Sequence, residues 1–207
     1  MPSPLKQDVQ SALGEFHSRI RRVVEIAWAE WRMIADFRSE KGLGPVLYPR
    51  TVANFVFDAI ARHAFTEFAS DPSVHVRVEA QTIKLFFKGD VLARFKKGSE
   101  NKLGQNIETQ AALAFVDADG TLPGLPPETV KVEFIWLAND IQTRLEHVLV
   151  VARDNDRLLW EYEIEPGDEG TGTVIPFPTG PSEPTDSDDR DLVKPRAPSA
   201  REAEQEE

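Results

Sequence analysis

The chain has 207 residues, 41% of them hydrophobic and 29% charged, with a formal net charge of −11. That length suits one domain with or without a tail, and the apolar fraction is that of a globular protein. Because there is no cysteine, disulfides, thiolate nucleophiles, cysteine zinc knuckles and cysteine-ligated iron–sulfur clusters are excluded together.

The first residues, Met1-Pro2-Ser3-Pro4-Leu5-Lys6, contain no apolar run, and nowhere do about 18 apolar residues follow one another. The reading is a cytoplasmic protein that does not enter a membrane. Its acidity is unevenly spread: residues 166–207 hold 11 acidic against four basic side chains, a net −7 that leaves −4 for residues 1–165. The global charge therefore does not forbid a local basic patch on the folded part. Seven of the 15 prolines also fall in 166–207, so that segment is expected to be a disordered acidic tail beside a single domain over 1–165.

Val9, Leu13, Phe16, Ile20, Val23, Ala27, Trp31 and Ile34 recur at three- and four-residue steps. This spacing predicts one long amphipathic helix over about 5–39, roughly 50 Å long. Gly42-Leu43-Gly44-Pro45 supplies its stop. A second helix is expected from Pro49 or Arg50 to Ala69, ended by Asp71-Pro72. Its polar residues Asn54, Asp58, Arg62 and Thr66 form one narrow line, and Val52, Phe55, Val56, Ile60, Ala64, Phe65 and Phe68 cover most of the rest, as in a helix packed on several sides. Asp58 and Arg62 have the spacing of an i,i+4 ion pair.

From Val74 the apolar period changes to two. Val74, Val76 and Val78 alternate with polar residues, as do Ile83, Leu85 and Phe87, and the odd step between the sets places a tight turn or bulge at Ala80-Gln81-Thr82. Lys88-Gly89-Asp90 then turns the chain into a partner strand over Val91–Lys97. Residues 98–107 read as a polar loop, Glu108–Phe115 as a short helix, and Leu122–Pro127 as a rigid connector. Three further strands are expected near 129–137, 144–152 and 158–164, with Val130, Val132, Phe134 and Trp136 on one face and Leu158, Trp160, Tyr162 and Ile164 on another. The fold class is α+β: two N-terminal helices packed on a mainly antiparallel sheet built from hairpins, with one short helix inserted between strands.

Most chemistry fails on spacing. Asp117-Ala118-Asp119-Gly120 with Glu128 imitates a calcium loop, but the sixth position, where glycine is required, is Leu122, and prolines stand at 123, 126 and 127. His17, His63, His75 and His147 lack zinc-ligand spacing. Serine-nucleophile and phosphate-loop motifs are missing. For a metal-dependent nuclease, Glu79 and Asp90 flank the first hairpin, but the only Glu-x-Lys, Glu100-Asn101-Lys102, falls in a loop. No catalytic residue, metal site or cofactor is assigned.

Two features retain a functional reading. Lys84, Lys88, Arg94, Lys96, Lys97 and Lys102, interleaved with Phe86 and Phe95, form either an electrostatic platform with a stacking surface for nucleic acid or a partner, or lysines guarding a sheet edge against aggregation. In the tail, Val174-Ile175-Pro176-Phe177-Pro178 has the format of a docking motif, its anchors being Val174, Ile175 and Phe177. The first helix approximates a heptad through Ala27, so a homodimer stands beside a monomer, although Trp28 and Trp31 broaden the stripe toward packing on the second helix.

Arg94-Phe95-Lys96-Lys97, Asn106…Thr109-Gln110…Ala112, Pro123-Gly124-Leu125-Pro126 and Leu159-Trp160-Glu161-Tyr162, in this order over about residues 48–164, resemble a group of uncharacterised small bacterial and phage proteins. These are encoded beside regulators that join a helix-turn-helix to a metallopeptidase domain, an arrangement similar to toxin–antitoxin or phage-defence modules. The resemblance implies a protein partner, the co-encoded regulator, and implies no catalytic residue. The resulting expectation is a non-enzymatic interaction protein. Its rivals are a nucleic-acid-binding or nucleic-acid-cleaving toxin that uses the basic hairpin, and a small-ligand domain lined by Trp136, Trp160 and Tyr162.

Overall fold

The computed structural model describes residues 6–79, 81–105, 109–118, 120–122 and 124–167. Residues 168–207 of the expected tail, with its anchors Val174, Ile175 and Phe177, lie outside the described residues, as do Ala80, Asn106, Ile107, Glu108, Asp119 and Pro123.

The chain forms α1 (Lys6–Leu13), a 3₁₀ turn (Gly14–Phe16), α2 (His17–Glu40), α3 (Pro49–Phe68), β1 (Val74–Glu79), β2 (Thr82–Phe87), β3 (Val91–Lys97), α4 (Gln110–Val116), β4 (Val130–Ala138), β5 (Leu145–Asp154) and β6 (Arg157–Glu163). The six strands make one sheet in chain order, β1 to β6. Every neighbouring pair is antiparallel except β3–β4, which run parallel, with Val91 opposite Val130 and Lys97 opposite Trp136. The α+β class with a mainly antiparallel sheet is thus observed. A parallel pair needs a crossover rather than a hairpin, and residues 98–129, carrying α4, supply it. Among the described residues no helix is long and apolar enough to cross a membrane.

The first expected helix is corrected in one respect: the 3₁₀ turn at Gly14–Phe16 divides it. Gly14 is a poor helix residue, and the tighter turn keeps Leu13, Phe16 and Ile20 all buried. The stop after α2 follows the glycine rule, with Gly42 at φ 65° and its N–H on the Ser39 carbonyl. α3 begins with Pro49 after extended Tyr48. Asn54, Asp58, Arg62 and Thr66 are exposed as expected, but so is half of Phe65. Arg62 reaches across to Glu30 of α2 at 2.9 Å rather than pairing with Asp58, and His63 Nε2 stands 2.6 Å from the same carboxylate. The helix pair is therefore clamped by side chains as well as by apolar contact.

α2 and α3 cover one face of the sheet. Phe87 lies at the centre of this layer, within 5.0–6.0 Å of the rings of Phe16, Phe68 and Phe134, and Trp28 meets Trp136 at 5.8 Å. Tyr162 belongs to the same core and Trp160 stacks on it at 6.2 Å, so the three aromatics weighed as a ligand wall are wall and filling of the interior. β1 and β2 pair antiparallel up to Glu79 opposite Thr82, with Val78 opposite Ile83. Ile83 is fully buried while Val78, on the edge strand beyond the helices, is exposed. β2 and β3 join through Lys88, Gly89 and Asp90, with Lys88 and Gly89 at positive φ and the Asp90 N–H donating to the Phe87 carbonyl at 3.0 Å.

His17 opens α2 and its Nε2 lies 3.0 Å from the Tyr162 hydroxyl, tying helix to β6. Burial holds the His17 imidazole below its ordinary value and pushes the Tyr162 phenol up. Because the folded imidazole binds its proton later than the unfolded one, the unfolded state takes up protons first as pH falls below about 6.5. Stability should therefore fall from pH 6.5 down to the folded value and become level beneath it. In His17→Gln, which keeps a polar partner for the phenol, melting temperatures should lose this slope between about pH 6.5 and 5; an unchanged slope would show that another group carries it.

Candidate functional site

The sheet face away from α2 and α3 carries Lys84 and Phe86 on β2, Arg94 and Lys96 on β3, and Lys131, Glu133 and Ile135 on β4. The expected exposed platform lies on this face, and its display is corrected. β3 is an interior strand between β2 and β4, so the alternative of lysines guarding a sheet edge does not apply to Arg94, Lys96 and Lys97 either. The face is covered by two pieces of the crossover. α4, capped by the Thr109 hydroxyl accepting from the Ala112 N–H, sets Phe115 and Val116 with Leu122 and Leu125 over Leu92 and Phe86. Within the expected 98–107 loop, the described stretch 98–105 returns on itself through a Gly98–Gly104 bridge and lays Leu103 over Ile135, Leu149 and Val151.

Between these covers lies a buried ionic group. Arg94 and Glu133 are directly opposite on the parallel pair, with exposures of only 4% and 0%. Arg94 Nε and Nη2 donate to Glu133 Oε1 at 3.1 and 2.6 Å. The Arg94 guanidinium lies 4.0 Å from the Phe115 ring centroid, against its face. The second carboxylate oxygen accepts from the Gly104 N–H at 3.2 Å and from Arg153 at 3.5 Å, and Arg153 also donates to the Gly104 carbonyl at 3.0 Å. A Cβ on Gly104 would stand 2.5 Å from Glu133 Oε2, so this approach requires glycine. Burial pushes Arg94 below the usual arginine value, against the pull of Glu133, and pushes half-buried Lys96 down, helped by the neighbouring Arg94 charge.

The remaining members of the basic run are dispersed. Lys84 pairs with Glu79 at 2.9 Å, Lys88 with Glu15, and Lys102 with Glu161. Lys97 projects to the helix side, 5.8 Å from the Trp136 ring, and burial lowers its ammonium value. Phe95 is fully buried and Phe86 packs under α4. No stacking surface among them is open in the manner a single-strand platform needs. Among the described residues no group of three or more His, Asp and Glu side chains is placed to hold a metal ion. Glu79 and Asp90 are not brought together, because Glu79 faces Thr82 at one end of the β1–β2 pair while Asp90 follows Phe87 at the other; Glu79 pairs instead with Lys84 and Arg77. At the imitation calcium loop the carbonyls of Gly120 and Asp117 face the Lys131 ammonium, a cation the chain itself provides.

The surface that stands out is at the other end of the sheet from α4, where α2 finishes. Met33 and Phe37 on α2, Leu43, Leu47 and Tyr48 in the connection to α3, and Ile141 in the β4–β5 turn are 50–79% exposed. A cleft of about 420 Å³ opens beside Leu43, Leu47 and Ile141, lined also by Trp31, Ala35, Arg38 and Val46, whereas Met33 and Phe37 fall on the opposite face of α2. Trp31 Nε1 and Arg38 Nε are buried there without an acceptor among the described residues. Arg32 spans the cleft floor to the Gln142 carbonyl at 3.4 Å and pairs with Asp36 at 2.6 Å. These residues were not singled out from the sequence. The available signal was that Met33 and Phe37 are apolar at helix positions off the buried stripe.

Glu133 is the test of the ionic group. Replacing Glu133 by Gln removes the carboxylate on which buried Arg94 donates twice and should cost about 3 kcal/mol or more in urea unfolding. The exposed pair partner changed in Glu163→Gln should cost roughly 0–0.5 kcal/mol. Equal effects from the two would deny Glu133 its place. No protein-family model, curated protein or solved structure matches this chain, so these contacts, and not a likeness to another protein, define the candidate site.

Proposed function

We propose that this protein is a non-enzymatic interaction protein, acting by binding a protein partner through the apolar end formed by α2, the 41–48 connection and the β4–β5 turn. The observation that carries this reading is the cleft lined by Leu43, Leu47 and Ile141, each at least half exposed, where α2, the 41–48 connection and the β4–β5 turn meet. Apolar side chains gathered around a cleft are the ordinary mark of a docking surface. The resemblance to proteins encoded beside helix-turn-helix/metallopeptidase regulators supports reading that role as part of a bacterial or phage module of the toxin–antitoxin or defence kind.

What speaks against the nucleic-acid reading is the fate of its residues. Arg94 is buried on Glu133, and Lys84, Lys88 and Lys102 each have a carboxylate partner. Counterion release needs cations free to meet phosphates. Chemistry would further need clustered carboxylates, and Glu79 and Asp90 are apart.

The test compares three full-length baits, wild type, Leu47→Asp and Lys97→Ala, in cross-linked captures from the source cells, alongside cleavage assays on DNA and RNA with Mg²⁺. The expected result is a protein retained by wild type and Lys97→Ala and depleted at least tenfold with Leu47→Asp, with no cleavage. Salt-sensitive nucleic-acid retention lost in Lys97→Ala, or cleavage abolished by Glu79→Gln, would overturn it.

A further inference from the structure

We infer that the cleft at the end of α2 takes a small ligand, a monocarboxylate on an apolar body, as an effector of the docking surface; the inference rests on reading that cleft as a binding site. Charge is the first argument. Every described arginine except Arg38 and Arg50 has a carboxylate partner. Arg50 is exposed in the first turn of α3, whereas Arg38 is half-buried and lines the cleft. The chain carries 35 acidic residues, so Arg38 is not left open for want of carboxylates. A partly desolvated guanidinium without a counter-charge suits an incoming carboxylate, which its planar fork can meet with two parallel hydrogen bonds.

The cation is held in place before a ligand arrives. Arg38 Nη2 donates to the Gly44 carbonyl at 2.9 Å, and the Arg38 carbonyl accepts from the Leu43 N–H at 2.9 Å. Little ordering is then left for binding to impose. The wall around it offers donors and few acceptors. The Nε–H groups of Trp31 and of Arg38 itself are buried without an acceptor among the described residues, and the Gly44 and Gln142 carbonyls are already taken by Arg38 and Arg32. Such a wall favours a group that only accepts, as an ionised carboxylate does. Asp140, the one acid in the lining, is exposed on the β4–β5 turn. Water screens it from Arg38, but a second negative charge at the mouth would meet it, which separates a monocarboxylate from a phosphate or a dicarboxylate.

The body of the ligand follows from the remaining lining. Leu43, Val46, Leu47 and Ile141 surround the cleft, whose volume of about 420 Å³ lies within the range of small-ligand sites, about 300–1,000 Å³. Leu47 and Ile141 are 79 and 76% exposed, and an apolar chain laid between them removes both from water. The turn that carries Ile141 is braced: Asn139 Oδ1 accepts from the Thr143 and Arg144 N–H groups at 2.8 and 3.0 Å, and Gln142 is held at φ 53°. Both walls facing α2 are thus set by their own hydrogen bonds.

Octanoate is the probe, titrated into the isotope-labelled full-length chain and followed by nuclear magnetic resonance. It should shift the indole N–H of Trp31 and leave those of Trp28, Trp136 and Trp160 in place, with a dissociation constant on the order of 0.1–1 mM. Octanol, the same body without the charge, and octyl phosphate should each bind about tenfold more weakly or worse. Arg38→Met should abolish the preference for octanoate over octanol, and Arg38→Lys should restore part of it. Because Arg38 also holds Gly44, the ratio of the two ligands within one variant separates a lost charge from a distorted cleft. Octanoate and octanol binding alike to the wild type, shifts spread over all four indoles, or no shift at Trp31 up to about 10 mM octanoate would each overturn the inference. A leucine-terminated peptide that binds where octanoate does not gives the carboxylate to a protein chain end and also overturns it. Capture of a partner by the wild-type and Leu47→Asp baits is read separately, so the docking reading stands or falls on its own.

Discussion

Glu133 is a carboxylate with no exposed surface, and the domain is arranged so that it never stands alone. Arg94 lies opposite it on the parallel strand, Arg153 approaches from β5, and the Gly104 N–H caps it from the crossover. A buried charge pair contributes little to stability against an apolar replacement. What this one does contribute is specificity. It fixes β3 beside β4 in a single register, because a shift of one residue would turn Arg94 to the helix side and leave Glu133 uncompensated. The same carboxylate holds the 98–105 return, which places Leu103 over β4 and β5. The cover of the second sheet face thus depends on one ionic contact whose partners are 39 and 20 residues away in the chain.

That arrangement also decides what the basic hairpin is. A cluster of lysines and arginine on consecutive strands has the composition of an anion-binding face, but composition does not reveal where the counter-charges come from. Here Glu15, Glu79, Glu133 and Glu161 arrive from α1's following turn, β1, β4 and β6 and meet Lys88, Lys84, Arg94 and Lys102 in turn. These four cations are consumed in joining elements. Since each exposed pair contributes at most about 1 kcal/mol, their effect is less to stabilise the fold than to leave little positive potential for a phosphate backbone.

Much of the architecture was legible because it is written in local spacing. Gly42 and Pro45 ended α2, Pro49 opened α3, Lys88-Gly89 made a hairpin turn, and the alternation through Phe134 and Trp136 identified the face that α2 and α3 cover. What was not legible is non-local. Alternation assigns a residue to a face without saying whether that face is covered, so Arg94 and Phe86 read as exposed when α4 and the 98–105 return lie over them. Ile135 and Leu137, apolar on the opposite face from Phe134 and Trp136, were the one local hint that β4 is buried on both sides, and hence that Glu133 needs a partner. The parallel pairing of β3 and β4 and the direction from which Arg153 comes have no local signature. The 3₁₀ turn at Gly14 was invisible for a different reason: the apolar steps around it fit an α-helix equally well.

The apolar end differs from the rest of the molecule in how firmly it is presented. A flexible connection between two helices would fold its leucines inward, since each buried apolar side chain gains about 1.5–3 kcal/mol. The 41–48 connection is prevented from doing so by its own backbone bonds. The Leu43 N–H is held on the Arg38 carbonyl at 2.9 Å, the Arg38 guanidinium donates to the Gly44 carbonyl at 2.9 Å, and extended Tyr48 is committed to the start of α3 by Pro49. Leu47 and Tyr48 are thereby kept outward while Val52, one turn into α3, is buried. Holding apolar side chains in water lowers solubility and brings no folding energy. A rigid connection that nonetheless does so would lower the ordering entropy of whatever covers it, which is the energetic condition that the proposed docking surface needs.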